Sequence, residues 1–285
     1  MAMIDTQTFP LTKQRLATAL ALIPTQPDAF SPNRMRETRV QFISGKNVLS
    51  SIRGWLLAAN VIANDKSRNF LTDYGKQLVA NDPQMENARS WWSFHLNICF
   101  SERCDPYRAL FFAIGESAGY VLDDDALLWK LAAIIGEKTS AELALATIET
   151  NLIGVLKMFD GTSPLSDLGL IDILTEGNKQ FLRLAEPNVP EQAVVHVLAL
   201  ARHKHFSTRA TVHFSELVDK GVHHFLCLSV TDLRKRLREL GRSIIWQQHF
   251  EFLEGQDLDS VRFGERLNPS QTVLNLLQES DDTWI

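Results

Sequence analysis

From Thr12 to Val79 the spacing of apolar positions changes several times, and each change marks an element. Leu16, Leu20 and Ile23 recur at helical spacing after Thr12, and Pro24 and Pro27 close that helix. Ser31-Pro32 opens a second helix through "NRMRETRVQF", serine as cap and proline in the first turn. After a turn, Ile43-Ser44-Gly45, the residues Val48, Leu49, Ile52, Trp55, Leu56 and Ala59 form one apolar stripe of a third helix. Ser44 is its expected cap and Gly45 the residue that turns the chain. Two apolar ends, Val61-Ile62 and Phe70-Leu71, then flank a polar tip from Asn64 to Asn69, the pattern of a hairpin. Thr72 caps a helix through Val79. Two helices joined by a short glycine-containing turn, then hairpin and helix, describe a winged helix-turn-helix.

The middle of the chain reads as helical. "ARSWWSFHLNICF", "DPYRALFFAIGESAG", "DALLWKLAAIIGE" and "SAELALATIETNLIGVLKMF" are dense in large apolar residues, the last capped by Thr139 or Ser140 with Glu142 near the capping-box position. Trp91, Trp92, Phe94, Phe111, Phe112 and Trp129 are expected in the core. "DGTSPLSDLGLIDILTEGNK" reads as a turn-rich connection, placing a boundary near Gly161. Beyond it "EQAVVHVLALARHK" is helical and "TVHFSELVDKG" is a strand entering a helix. "SVTDLRKRLRELGR" is a capped basic helix and "SIIWQQHFEF" alternates like a strand. The expected fold class is therefore mainly α with small β-hairpins: a winged-helix region at 1–82, a helical core region at 83–160 and an α+β part at 161–285 that resembles a second winged-helix-like unit.

Composition narrows the class without fixing it. The 285 residues are 45% hydrophobic and 22% charged, ordinary for a globular protein. No apolar run approaches the ~20 residues of a bilayer span, and "MAMIDTQTFP" lacks the marks of a signal peptide, so a cytoplasmic protein without membrane contact is expected. A net charge of −5 argues against nucleic-acid coating by bulk charge but does not exclude a local basic face. Three cysteines are too few for a disulfide scaffold. Cys99 and Cys104 have no Cys/His pair at finger spacing; His203 and His205 lie far off in sequence.

The Gly45-Lys46 pair invites a phosphate-loop reading, which fails on spacing. The position five residues earlier is Val40, not glycine, and the residue after is Asn47, not Ser or Thr. The third helix instead carries Lys46, Asn47, Ser50, Ser51 and Arg53 opposite its apolar stripe, groups suited to phosphates and base edges. With Lys66 and Arg68 at the hairpin tip and Arg34 and Arg36 on the second helix, these make double-stranded DNA the expected ligand. A second basic run, Arg234, Lys235, Arg236, Arg238 and Arg242, lies on the later helix. Metal-dependent strand cleavage would need converging carboxylates. Asp82, Glu86 and His95 are the densest candidates, while the run Asp123-Asp124-Asp125 is better explained as an acidic helix start.

"SGKNVLSSIRGWLLAANVI", "LTDYGKQLV", "NDPQMENARSWWSFHLN", "SPLSDLGLI", "TVHFSELVDKG" and "VTDLRKRLREL" resemble, in order, the motifs of SspB-like proteins. The resemblance covers nearly the whole chain, and Gly45-Lys46-Asn47 with Trp55-Leu56 is its most specific part. It implies a component of bacterial DNA phosphorothioation and anti-phage defence, working beside a cysteine desulfurase, an ATPase and a PAPS-reductase-like protein. It also implies DNA nicking, with magnesium or manganese if that activity is present. Thr6 and Gln7 stand where the resemblance leads one to expect His and Glu, Thr12 where it expects arginine and Arg15 where it expects tryptophan. Thr and Gln neither bind a metal nor move a proton well, which argues against cleavage. The expected roles are thus a DNA-binding component, a DNA nickase, or a non-catalytic adaptor bridging partner proteins.

Overall fold

The computed structural model describes residues 9–66, 68–116, 120–121, 125–136, 145–176, 179–255 and 258–278. Thr6, Gln7, Asp123, Asp124, Thr139, Ser140 and Glu142 lie outside them. The fold is mainly helical with small antiparallel sheets, and it divides into two compact units, Met1–Ala185 and Glu186–Ile285.

The first unit begins with α1 (Lys13–Leu22), capped by the Thr12 hydroxyl, which accepts from the Arg15 N–H. Then follow α2 (Met35–Gln41), α3 (Lys46–Ala58), the hairpin β1 (Ile62–Asp65) and β2 (Arg68–Leu71), and α4 (Asp73–Asn81). The hairpin register pairs Ile62 with Leu71 and Asp65 with Arg68. Thr72 caps α4 by accepting from Gly75 N–H at 3.0 Å. This order of elements matches the order expected from the sequence.

Several local expectations need correction. α2 starts at Met35, not at Ser31-Pro32, because Ser31 and Arg34 are spent on turn hydrogen bonds to Asp28 and Ser31 carbonyls. The cap of α3 is Gly45, with no side-chain hydrogen bond, since the Ser44 hydroxyl donates back to the Phe42 carbonyl at 2.9 Å. The left-handed residue in that turn is Ile43, at φ 48°, not Gly45.

The remainder of the unit comprises α5 (Ala88–Phe100), α6 (Asp105–Gly115), β3 (Tyr120–Val121), α7 (Asp125–Gly136), α8 (Leu145–Leu156), β4 (Ile171–Glu176) and β5 (Lys179–Leu184). Twelve of the thirteen residues of α5 are buried, which explains why it shows no polar face. Its partner α6 brings Tyr107 and Phe111 against His95 and Phe159. Trp129, expected in the core, is 61% exposed on α7, and Phe112 is half-buried. The stretch expected as a turn-rich connection contains a strand: β4 pairs antiparallel with β5, which also takes β3. The span 161–185 therefore belongs to the first unit.

The second unit runs α9 (Glu191–His205), β6 (Thr211–His213), α10 (Phe214–Asp219), α11 (Val222–Phe225), α12 (Val230–Arg242), β7 (Phe250–Leu253), β8 (Ser260–Phe263) and α13 (Pro269–Gln278). Its sheet is antiparallel in the order β6-β8-β7. The capped basic helix is observed, the Ser229 hydroxyl accepting from Asp232 N–H. The strand expected over "SIIWQQHFEF" forms only from Phe250. Residues 243–249 are turns instead, held by bonds from Trp246 and Gln247 N–H to the Ser243 carbonyl. The buried Trp246 indole, donating to Glu191 at 2.9 Å, fixes them.

Candidate nucleic-acid interface

On α3, Lys46, Ser50 and Arg53 recur at i, i+4 and i+7 and so share one side of the helix over ~10 Å. Lys46 and Asn47 are exposed, Ser50 and Arg53 half-buried. The opposite side holds Leu49, Ile52, Trp55 and Leu56 in the core. Ser51, expected among the outward polar groups, is buried instead. Its hydroxyl donates to the Phe9 carbonyl at 2.8 Å, and the Trp55 indole donates to the same oxygen at 3.2 Å. These bonds set the rotation of α3 and hence which residues face out.

Arg53 joins the helix to the hairpin. Its Nε donates to Asn69 Oδ1 at 3.0 Å, and the buried Asn69 in turn donates through its amide and its backbone N–H to the Pro27 carbonyl. Burial, and next the positive charge of Arg103, pull the Arg53 pKa below the ordinary arginine value. It stays protonated at neutral pH. Arg103, in the connection between α5 and α6, is thus a neighbour of the interface that sequence reasoning missed. No local signal marks it, since it enters the surface through tertiary packing alone.

Charge pairing separates the two basic regions. Arg34 is spent on Glu37 at 3.0 Å and Asp28 at 4.0 Å, so it contributes little free positive charge. Arg36, Arg39, Lys46, Arg53, Lys66, Arg68 and Arg103 have no acidic ion-pair partner among the described residues. On α12 of the second unit the pattern is opposite. Arg234 pairs with Asp259 at 3.1 Å, and Arg238 and Arg242 both pair with Glu254, at 2.6 and 3.0 Å. The acidic hairpin beside α12 answers most of that basic run.

Against this geometry stand the comparisons with known proteins. The pattern of the DUF4007 family, described as a protein of unknown function, matches residues 5–279. The chain belongs to that family. Two solved structures share its fold. One, described as magnesium ion-bound SspB, aligns with a TM-score of 0.78 and 17% identity over 99% of this chain and 88% of its own. The other, an SspB crystal structure, gives 0.77 and 18% over the same shares. The SspB-like resemblance carried by the sequence motifs therefore holds. No curated protein matches the sequence.

In this DUF4007 protein the three candidate cleavage residues sit in three settings. Asp82 is buried at the end of α4, where Oδ1 accepts from Glu86 N–H at 2.8 Å, and Oδ2 accepts from Asn87 N–H at 3.0 Å and the Ser90 hydroxyl at 2.6 Å. Glu86 is exposed and pairs with Lys13 at 3.1 Å. His95 is fully buried with Nδ1 at 2.8 Å from the Tyr107 hydroxyl. Among the described residues no group of three or more His, Cys, Asp or Glu is placed to hold a metal ion. Cys104 is buried and its thiol is pushed up to about 12, chiefly by burial, so it is protonated at neutral pH. His203 and His205 belong to the other unit. No helix among the described residues is long and apolar enough to cross a membrane.

Proposed function

We propose that this protein is the DNA-binding component of a bacterial DNA phosphorothioation and anti-phage defence system, and that α2, α3 and the β1–β2 hairpin act as a winged helix-turn-helix on double-stranded DNA. The observation that carries the reading is the set of unneutralised cations on these elements, in a chain whose net charge is negative. Lys46, Asn47, Ser50 and Arg53 face the groove, Lys66 and Arg68 at the hairpin tip meet phosphate, and Arg36 flanks them. Arg34 supports α2 through Glu37 and does not touch DNA. The α3 amino end adds backbone N–H groups that no side chain caps among the described residues, which suits an anion. The partners in this reading are a cysteine desulfurase, an ATPase and a PAPS-reductase-like protein.

The test is a fluorescence-anisotropy titration of a 20-base-pair duplex at several salt concentrations. Affinity should fall steeply with salt, and Lys66→Glu with Arg68→Glu should flatten the log–log slope by about 2, close to 0.9 for each phosphate no longer neutralised. Absent binding at low salt, or an unchanged slope in the double variant, defeats the reading and favours the adaptor role. A second reading, a DNA nickase, draws support from the magnesium ion-bound SspB structure. With Asp82 saturated by its own turn and Gln7 and Thr6 in the N-terminal positions, supercoiled plasmid should stay intact in magnesium or manganese. Metal-dependent open circles would establish the nickase instead.

A further inference from the structure

The corner between α2 and α3 is built at a conformational disadvantage. Ile43 N–H donates to the Val40 carbonyl at 3.2 Å and Ser44 N–H to the Arg39 carbonyl at 3.1 Å, the paired bonds of a Schellman turn. The residue after the C-cap in such a turn is left-handed, a place that glycine or asparagine usually fills. Here it is Ile43, β-branched, at φ 48°. Nothing within the fold compensates, because Ile43 is 92% exposed and Val40, three residues earlier, is 75% exposed. A strained side chain that buries nothing in the free protein is accounted for by a contact made in a complex.

Its surroundings select the occupant. Arg36, Arg39 and Lys46 frame the corner, all exposed and without an acidic ion-pair partner among the described residues. An apolar protein surface would meet these cations unfavourably. Duplex DNA matches both features at once, with phosphate ridges for the cations and, between them in the major groove, the C5 methyl of thymine. We propose that Ile43, backed by Val40, is a specificity-determining residue that packs against thymine methyl groups when the amino end of α3 docks in the major groove. This rests on the DNA-binding reading and adds to it a preference that phosphate contacts cannot supply.

The experiment compares the full chain on a fluorescein-labelled, thymine-rich 20-base-pair duplex and on the same duplex with deoxyuridine in place of every thymidine. That exchange keeps charge and pairing and removes only the methyl groups. The wild type should bind the deoxyuridine duplex about fourfold more weakly for each methyl covered. Ile43→Gly should bind both duplexes alike while melting no lower than wild type, because glycine suits the left-handed position. Ile43→Ala, which removes most of the side chain, should lose the discrimination too. Equal wild-type affinity for the two duplexes overturns the proposal and leaves the DNA-binding reading standing. Discrimination that survives Ile43→Gly overturns it as well, by placing the methyl contact elsewhere. Binding to neither duplex at low salt sinks the DNA-binding reading, and this proposal with it, and assigns the corner to a protein partner.

Discussion

Acidification should loosen α13 from the second unit, and the perturbation centres on His196. This side chain is buried on α9, with Nδ1 2.9 Å from the Thr272 hydroxyl of α13. Thr272 itself donates to the Asn268 carbonyl at 3.0 Å, so its oxygen accepts and the imidazole carries its proton on Nδ1. Nε2 is buried with no hydrogen-bond partner among the described residues. A second proton would have to go there, and burial therefore holds the pKa down to about 3, against 6.5 for an unperturbed histidine. The folded-state pKa is depressed for a base, so the neutral form belongs to the folded state and protonation favours the unfolded one. Stability is full above pH 6.5 and drains as pH falls toward 3. At ~1.36 kcal/mol per unit, the drop from 6.5 to pH 5 removes about 2 kcal/mol, a large share of what holds one ten-residue helix. The assay is hydrogen exchange of the α13 amides at pH 7 and pH 5, corrected for intrinsic rates, in wild type and His196→Leu. Leucine fills similar volume and cannot titrate, so the variant should stay within about 1 kcal/mol of wild type at pH 7 and lose much of the pH dependence. Equal loss of α13 protection in the two proteins would refute the reasoning and shift attention to His249. That residue bonds Asn275 on the same helix and is also depressed, by burial first and Arg266 second.

Three further outcomes follow from close approaches and saturated side chains in the first unit. At Gly75 an added Cβ would lie 2.1 Å from the Val61 carbonyl oxygen, a backbone atom, so Gly75→Ala should cost about 2 kcal/mol net of ~1 kcal/mol of improved helix propensity. Differential scanning calorimetry reads this, with Gly136→Ala, which has open space, expected to be neutral or better. Asp82→Ala removes the acceptor of two backbone N–H groups and the Ser90 hydroxyl and should destabilise by about 2–3 kcal/mol, with Asp82→Asn recovering part. Folded Asp82→Asn with a selective loss of DNA processing would instead make the residue catalytic. Asn69→Ala unlinks Arg53 from the hairpin and leaves the Pro27 carbonyl held by the backbone N–H alone, so amide exchange over 62–71 should accelerate while α5 stays protected; unchanged exchange over 62–71 would deny the Asn69 side chain its tie.

The sequence was most legible where one local signal sufficed. Thr12, Thr72 and Ser229 announce helix starts that the structure keeps, and the apolar stripe of α3 fixes its buried side. Legibility failed where tertiary partners decide. Ser51 looks like an outward hydroxyl until the Phe9 carbonyl claims it, and alternation over "SIIWQQHFEF" looks like a strand until burial of the Trp246 indole curls the chain. Within the candidate interface, the letters name Lys46, Arg53, Lys66 and Arg68. They cannot say that Arg34 is already paired, nor that Arg103 stands near Arg53. The basic run of α12 carried the strongest charge signal in the chain and proved to be largely answered by Glu254 and Asp259.

The carbonyl of Phe9 bears on how far the chain can be shortened. It takes two donors from α3, and two residues on, the buried Leu11 points its N–H at the Met158 sulfur at 3.2 Å. The short run 9–11 thus bastes α3 to the segment that follows α8, beside Trp55 packed edge-on to Tyr107. Trimming past Phe9 would strand a hydroxyl and an indole N–H without an acceptor, and a fragment ending near Asp82 would take Tyr107 away from the Trp55 ring. The surface proposed to meet DNA is consequently not a detachable reading head, and anyone wishing to transplant it must carry 9–185 as one piece.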